Sequence, residues 1–218
     1  MKTAIVIGAT GLIGRALVEQ LLGDDRVEEV KVFTRRTTNI VHPALDEQLV
    51  DFDKIESWAG QVIGDALFSA LGTTRKKARS KAVQRRVDVD YQLGVATAAA
   101  TNGVGRYLLV SSLGANASSP WFYPRIKGEL EEAVQRLKFR TVAIFRPSVL
   151  TGKRDHSRPG ERLGEFGARA FGALPMLERF RPIAGETVAR AMINTALKDL
   201  PDDTLWLESN AIVDAATR

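Results

Sequence analysis

From Lys2 to Ile7 the chain is apolar and β-branched, and beyond it Ile13, Leu17 and Leu21 recur at helical spacing. The period therefore changes from strand to helix across a short glycine-bearing turn. The alternation repeats downstream: Glu29 to Thr34, Gln48 to Phe52, Ala66 to Leu71, Tyr107 to Val110 and Thr141 to Phe145 predict five more strands. A helix is expected between Asp88 and Thr101, with Val89, Leu93, Ala96 and Ala100 on one face, and another over Gly128 to Leu137 with Leu130, Val134 and Leu137. Gly152 to Arg162 is polar and aperiodic, which predicts a loop over the substrate side, followed by a helix near Leu163 to Phe171. A further helix over Glu186 to Leu197 and a short strand over Thr204 to Leu207 complete the pattern. Strands and helices that alternate in this way predict an α/β fold, a doubly wound parallel sheet covered on both faces, with ligands collecting at the strand C-termini.

Length and composition narrow this. At 218 residues and 44% hydrophobic, the chain fits one domain over 1–218 with a single sizeable core, residues 151–182 forming a small C-terminal substrate lobe. There is no Cys, which excludes disulfide staples and thiolate metal sites, and His42 and His156 alone give no basis for a metal centre. The apolar run before Gly8 is too short for a signal peptide or a membrane span, so the expectation is a soluble, cytoplasmic protein.

The turn between the first strand and the first helix reads Gly8-Ala9-Thr10-Gly11-Leu12-Ile13-Gly14. A turn without side chains lets backbone approach a pyrophosphate, and the free N–H groups at a helix N-terminus stabilise its charge. Gly14 would let the helix pack close to the strand. Thr34-Arg35-Arg36, 21 residues beyond Gly14 at its nearest guanidinium, closes the second strand without the acid that would favour a ribose 2′-hydroxyl. Two guanidinium groups there suit the 2′-phosphate of NADP(H), a charge-assisted contact of about 1.5–3 kcal/mol, with NAD(H) as the alternative cofactor.

Tyr123-Pro124-Arg125-Ile126-Lys127 sets a phenol and an ammonium four residues apart just before a helix, and Ser111-Ser112 ends the preceding strand. A phenol can give its proton to a carbonyl oxygen, and a nearby ammonium favours the phenolate that remains. Pro124 disfavours helical geometry at the residue before it, which predicts Tyr123 at the helix cap and not one turn inside.

These residues, together with Leu71-Gly72-Thr73-Thr74-Arg75, Val87-Asp88-Val89-Asp90-Tyr91, Ser111-Ser112-Leu113-Gly114-Ala115, Tyr123 to Glu129 and Arg181-Pro182-Ile183, span nearly the whole chain. In them the chain resembles the atypical short-chain dehydrogenases/reductases, and within these the Tat-interacting oxidoreductase family. The resemblance implies a Rossmann-like NAD(P)-binding domain. It implies Tyr123 as proton donor or acceptor, Lys127 as its electrostatic partner and a ligand of the cofactor ribose, and Ser112 as the hydroxyl holding the reacting oxygen, with Ser111 second. Gly8, Thr10, Gly11, Leu12, Ile13 and Gly14 would cradle the dinucleotide. Asp51 and Phe52 would flank the adenine, Leu71, Gly72 and Thr73 the adenosine ribose and pyrophosphate, and Pro147 to Val149 the nicotinamide side. Many relatives place an Asn of a central helix in a proton relay; Asn102 lies at the far end of its helix and reads as a turn residue.

The expected activity is NADP(H)-dependent hydride transfer to or from a small carbonyl or alcohol. The alternative is an NADP(H)-sensing regulatory protein that acts through a protein partner. The net charge of +5 is local, because Arg75 to Arg86 holds seven Lys/Arg and no acid. That run has no aromatic for base stacking, so a solvated loop or helix near the cofactor fits it better than a nucleic-acid surface.

Overall fold

The computed structural model describes residues 1–152, 181–198 and 202–217. Seven parallel strands form one sheet: β1 (Thr3–Ile7), β2 (Glu29–Thr34), β3 (Leu45–Leu49), β4 (Ala66–Ser69), β5 (Arg106–Val110), β6 (Thr141–Arg146) and, after a two-stranded pairing of β7 (Leu150–Thr151) with β8 (Ile183–Ala184), β9 (Thr204–Glu208). The order is β3-β2-β1-β4-β5-β6-β9, so the chain reverses its direction of travel between β1 and β4. In sheets of this kind the crevice outside the strand C-termini at that reversal is where ligands bind.

Both faces of the sheet are buried, as continuous apolar strands require. Ala4 and Val6 of β1, Phe68 of β4, Leu108 of β5 and Phe145 of β6 pack on one side against α1 (Leu12–Leu22) and the later α6 (Gly185–Leu197). Ile5, Ile7, Leu67, Leu109 and Ile144 point to the other side, against α4 (Tyr91–Thr101) and α5 (Phe122–Gln135). The neighbouring positions of each strand thus feed two separate cores.

Three expectations need correction. The third strand is Leu45–Leu49, not Gln48 to Phe52, because the Asp51 carboxylate accepts from the Asp53 N–H at 2.9 Å and caps a 3₁₀ turn, Phe52–Ser57. The second long helix begins at Phe122, six residues before Gly128, with Trp121 as its N-cap residue. Tyr123 therefore lies inside the first turn. Pro124 fits that turn because its missing N–H would have had no partner within the helix. The basic run, expected as a loop or helix, is helical, as α2 (Arg75–Ala78) and α3 (Lys81–Arg85), capped by the Thr74 and Ser80 hydroxyls, with Arg79 left-handed at φ 63° between them. The final helix α7 (Ser209–Thr217) was not anticipated. The predicted helix near Leu163 to Phe171, most of the polar loop before it and most of the 151–182 lobe lie outside the described residues.

Candidate active site

The glycine turn is built by contact distances that leave no room for side chains. Gly8 is at φ 87°, and a Cβ there would sit 2.4 Å from the Ala70 carbonyl carbon and the Leu71 nitrogen. A Cβ on Gly14 would sit 2.0 Å from the Gly8 carbonyl oxygen. The Gly11 N–H donates to that same oxygen at 2.8 Å, and Gly11 caps α1 in extended geometry. Among the described residues no side chain caps α1, and no acid stands in its first turn, which leaves its N-terminal N–H groups without a side-chain cap. Such a terminus suits an anion, and the cradle that a Cβ would fill suits a pyrophosphate approaching backbone.

At the end of β2, Arg35 and Arg36 are exposed, and neither guanidinium forms a hydrogen bond or ion pair among the described residues. The turn that carries them is closed by the Thr34 hydroxyl, which donates to the Arg36 carbonyl at 2.9 Å. Asp51 is exposed, and Phe52 is buried against Trp58 and Tyr91, with ring centroids 5.4 and 5.5 Å away. Leu71 and Thr73 are half-buried and Gly72 exposed on the loop after β4. Pro147 is buried and its carbonyl accepts from the Leu113 N–H at 3.0 Å, while Val149 stands exposed beyond β6. All these positions follow the C-terminal ends of β1, β2, β3, β4 and β6.

The two serines after β5 differ. Ser111 is buried and its hydroxyl donates to Glu131, whose carboxylate also takes Arg146 at 2.7 and 3.0 Å. Ser112 is half-buried, and among the described residues its hydroxyl makes only a 3.2 Å bond, to the Leu113 carbonyl. The serine loop is pressed onto α5 at Gly128, where a Cβ would meet the Ala117 nitrogen at 2.1 Å. That contact brings Ser112 and the start of α5 to one edge of the sheet.

On α5, Tyr123 is 41% exposed, whereas Lys127 is 3% exposed and donates to the Val110 carbonyl at 3.0 Å. Burial pushes the Lys127 ammonium below its ordinary pKa, and the Asp88 and Glu131 carboxylates oppose the shift. Asp88 is itself 2% exposed and burial pushes its carboxyl up, opposed by Lys127 and by the Thr73 N–H, which donates to Oδ1 at 3.0 Å. Asp88 sits in a π-helical turn, Arg86–Asp90, leading into α4. Sequence reasoning quoted Asp88 only within a motif and missed Glu131 and Arg146. The available signal was a charge on an apolar stripe: Asp88 shares its buried face with Gln92, Val95, Ala96 and Ala99, and Lys127 and Glu131 share theirs with Ile126, Leu130 and Val134. Asn102 is a C-cap residue whose amide donates to the Ala59 and Val62 carbonyls at 2.8 and 3.1 Å, far from this edge.

Residues 8–157 match the family described as NAD(P)H-binding. Protein HTATIP2 of Rattus norvegicus is 36% identical over 217 residues, covering 97% of this chain and 88% of the relative. The chain belongs to this NAD(P)H-binding family, in the group that holds HTATIP2. Within the family, the mitochondrial protein fmp52 of Aspergillus fumigatus is 35% identical, covering 95% of this chain and 94% of its own. The FMP52 protein of Candida glabrata, also mitochondrial by name, is 35% identical over 93% of the chain and 88% of its own. Solved structures share the fold: the Bordetella bronchiseptica enzyme WbmH in complex with NAD⁺ superposes with a TM-score of 0.70 at 18% identity, covering 96% of this chain and 76% of that one. The UDP-glucuronic acid 4-epimerase of Bacillus cereus, with its sugar nucleotide and NAD, gives 0.69 at 12%, covering 95% and 77%. Among the described residues no helix is long and apolar enough to cross a membrane, and no cluster of His, Asp or Glu is arranged to hold a metal ion.

Proposed function

We propose that this family member is an NADP(H)-dependent oxidoreductase that moves a hydride to or from a small carbonyl or alcohol. The observation that carries the reading is the placement of Lys127, a buried ammonium on α5 one turn beyond the exposed Tyr123, at the same sheet edge as the glycine cradle. The nicotinamide dinucleotide, when bound, supplies or accepts the hydride. In this reading the Gly8 to Gly14 turn and the α1 N-terminus hold its pyrophosphate, and Arg35 and Arg36 its 2′-phosphate. Asp51 and Phe52 flank the adenine, Leu71 to Thr73 the adenosine ribose, and Pro147 to Val149 the nicotinamide side.

Tyr123 gives its phenolic proton to the substrate carbonyl oxygen in reduction and takes it back in oxidation. The Lys127 ammonium stabilises the phenolate and donates to the nicotinamide ribose. The Ser112 hydroxyl donates to the same substrate oxygen and fixes its direction. Ser111 is occupied by Glu131, which supports Ser112 for this role.

Titration of NADPH and NADH, followed by a screen of carbonyl substrates monitored by NADPH absorbance, tests the reading. Binding with turnover supports it. Tight NADPH binding without turnover across the screen supports the sensor alternative instead, and failure to bind either dinucleotide overturns both.

A further inference from the structure

Arg35 and Arg36 sit on an arc of chain whose two ends are both fixed. At the near end the Thr34 hydroxyl donates to the Arg36 carbonyl at 2.9 Å. At the far end Thr38 is only 3% exposed, although Arg35, Arg36 and Thr37 before it and Asn39 after it are all exposed. A polar residue drawn inward from an exposed loop needs hydrogen-bond partners, and Thr38 finds them on two elements. Its N–H donates to Glu47 Oε2 of β3 at 2.8 Å, and its hydroxyl donates to the same oxygen. Its carbonyl accepts from the Arg15 guanidinium of α1 at 3.4 Å.

The chain turns back directly beyond this anchor. The Asn39 N–H donates to the Thr37 hydroxyl at 3.0 Å and the Ile40 N–H to the Thr38 hydroxyl at 3.3 Å. Asn39 is left-handed at φ 56°, a conformation that Asn tolerates better than most side chains do. The arc is thus held at Thr34 and Thr38, with the two guanidinium groups between.

Glu47 is an unusual acid for its position. β3 is an edge strand, where charges ordinarily face water and discourage pairing with other chains. Its neighbour Asp46 has a cation, Lys31 at 3.7 Å. Glu47 is half-buried opposite Val32, a residue of the core beneath α1, and among the described residues it forms no ion pair. One of its oxygens takes both donors of Thr38 instead, and bonds to an ionised acceptor are about twice as strong as neutral ones.

We propose that Glu47 is a positioning residue for cofactor selectivity: by holding Thr38 it sets the arc from which Arg35 and Arg36 meet a 2′-phosphate, and so sets the preference for NADP(H) over NAD(H) without touching either. This rests on the NADP(H) reading above. NADPH and NADH differ only in that phosphate, so the ratio of their dissociation constants reports on this loop, while changes at the glycine cradle affect both alike. A loop already held in its bound shape loses little freedom on binding, whereas a loosened one must order two long guanidinium side chains at each encounter.

Three variants separate the contributions. Glu47→Gln removes the charge and keeps an oxygen for both Thr38 donors; Glu47→Ala removes the acceptor; Thr38→Val removes the hydroxyl and keeps the shape and the N–H. Both cofactors are titrated into each by calorimetry. In Glu47→Ala the NADPH dissociation constant should rise at least about tenfold and that of NADH stay within about threefold of wild type. Glu47→Gln should stay within about threefold for both, and Thr38→Val should lose at least about threefold of the preference. An unchanged ratio in Glu47→Ala overturns the proposal. So does tighter NADPH binding in Glu47→Gln, which would mean that the carboxylate acts as a charge opposing the phosphate. A merely structural Glu47 would lower thermal stability and weaken both cofactors alike. Should Glu47→Ala not fold, Thr38→Val decides by the same ratio. Amide hydrogen exchange at Thr38 in cofactor-free protein gives a readout independent of binding: protection in wild type and Glu47→Gln, and exchange at least about tenfold faster in Glu47→Ala. A Thr38 amide unprotected in wild type also overturns the proposal. Equal wild-type affinities for the two cofactors would refute the 2′-phosphate assignment itself, whereas a wild-type preference that survives in Glu47→Ala refutes the role of Glu47 alone.

Discussion

Gly14 faces the Gly8 carbonyl oxygen so closely that a methyl carbon at position 14 would lie 2.0 Å from it. Neither partner can yield cheaply, because the obstacle is backbone and the Gly11 N–H already holds that oxygen at 2.8 Å. Gly14→Ala should therefore push α1 off β1, cost about 1–3 kcal/mol of stability and weaken NADPH binding more than tenfold. Thermal melting and NADPH titration check both, and a stable variant with unchanged affinity would refute the cradle.

Arg35 and Arg36 stand exposed, and among the described residues neither guanidinium has a hydrogen-bond or ion-pair partner, which suits them to a ligand. Arg35→Ala should weaken NADPH by roughly ten- to a hundredfold, as one lost charged hydrogen bond implies, and leave NADH affinity unchanged. Parallel titrations of both cofactors into wild type and variant measure the difference. Equal wild-type affinities for the two would rule out the 2′-phosphate assignment.

Tyr123→Phe keeps the ring and removes one hydroxyl. With a substrate in hand, kcat should fall by about 10²–10⁴-fold while the NADPH dissociation constant stays near wild type. Ser112→Ala should also reduce turnover with little effect on cofactor binding. Steady-state kinetics beside the titration separates the steps, and wild-type kcat in Tyr123→Phe would remove it from the chemistry.

Much of the order of elements was legible because β1, β4, β5 and β6 carry apolar runs and α1 and α5 keep a helical period. What escaped notice was decided in part by capping at element ends and in part by contacts distant in sequence. Asp51 ends the third strand early by capping the Asp53 N–H, a local choice that apolar pattern does not reveal. The early start of α5 depends on Pro124 falling in a first turn, where the proline is harmless, although its effect on Tyr123 argued the reverse. The glycine cradle, Tyr123 and Lys127 were legible as motifs, since spacing alone displays them. Asp88 and Glu131 gain meaning only when β5, α4 and α5 converge, and the charges then prove to lie inside.

Glu131 gives a prediction about stability in place of chemistry. It is 2% exposed and holds Arg146, which in turn reaches Glu208 of β9 at 3.2 Å. Removing the Glu131 carboxylate leaves the partly buried Arg146 with Glu208 and the Ser111 hydroxyl without its acceptor, so Glu131→Ala should cost about 1–3 kcal/mol. Ser111→Ala should cost less, about 1 kcal/mol, because it deletes a single donor. Urea unfolding of both variants measures this, and a Glu131→Ala protein as stable as wild type would contradict the account.

The way β1 divides its residues between the two cores constrains how this chain can diverge. Ala4 and Val6 serve the α1 side and Ile5 and Ile7 the α4 side, with every position filled. Loss or gain of one residue within Thr3–Ile7 would exchange the faces, presenting isoleucines to the helix that Gly14 brings closest and smaller side chains to the wider space opposite. Length changes are therefore barred on the strand side of the glycine turn. Cofactor or substrate preference can drift only through the loops that leave the far ends of β2, β4, β5 and β6, where the backbone is free to lengthen without inverting a strand.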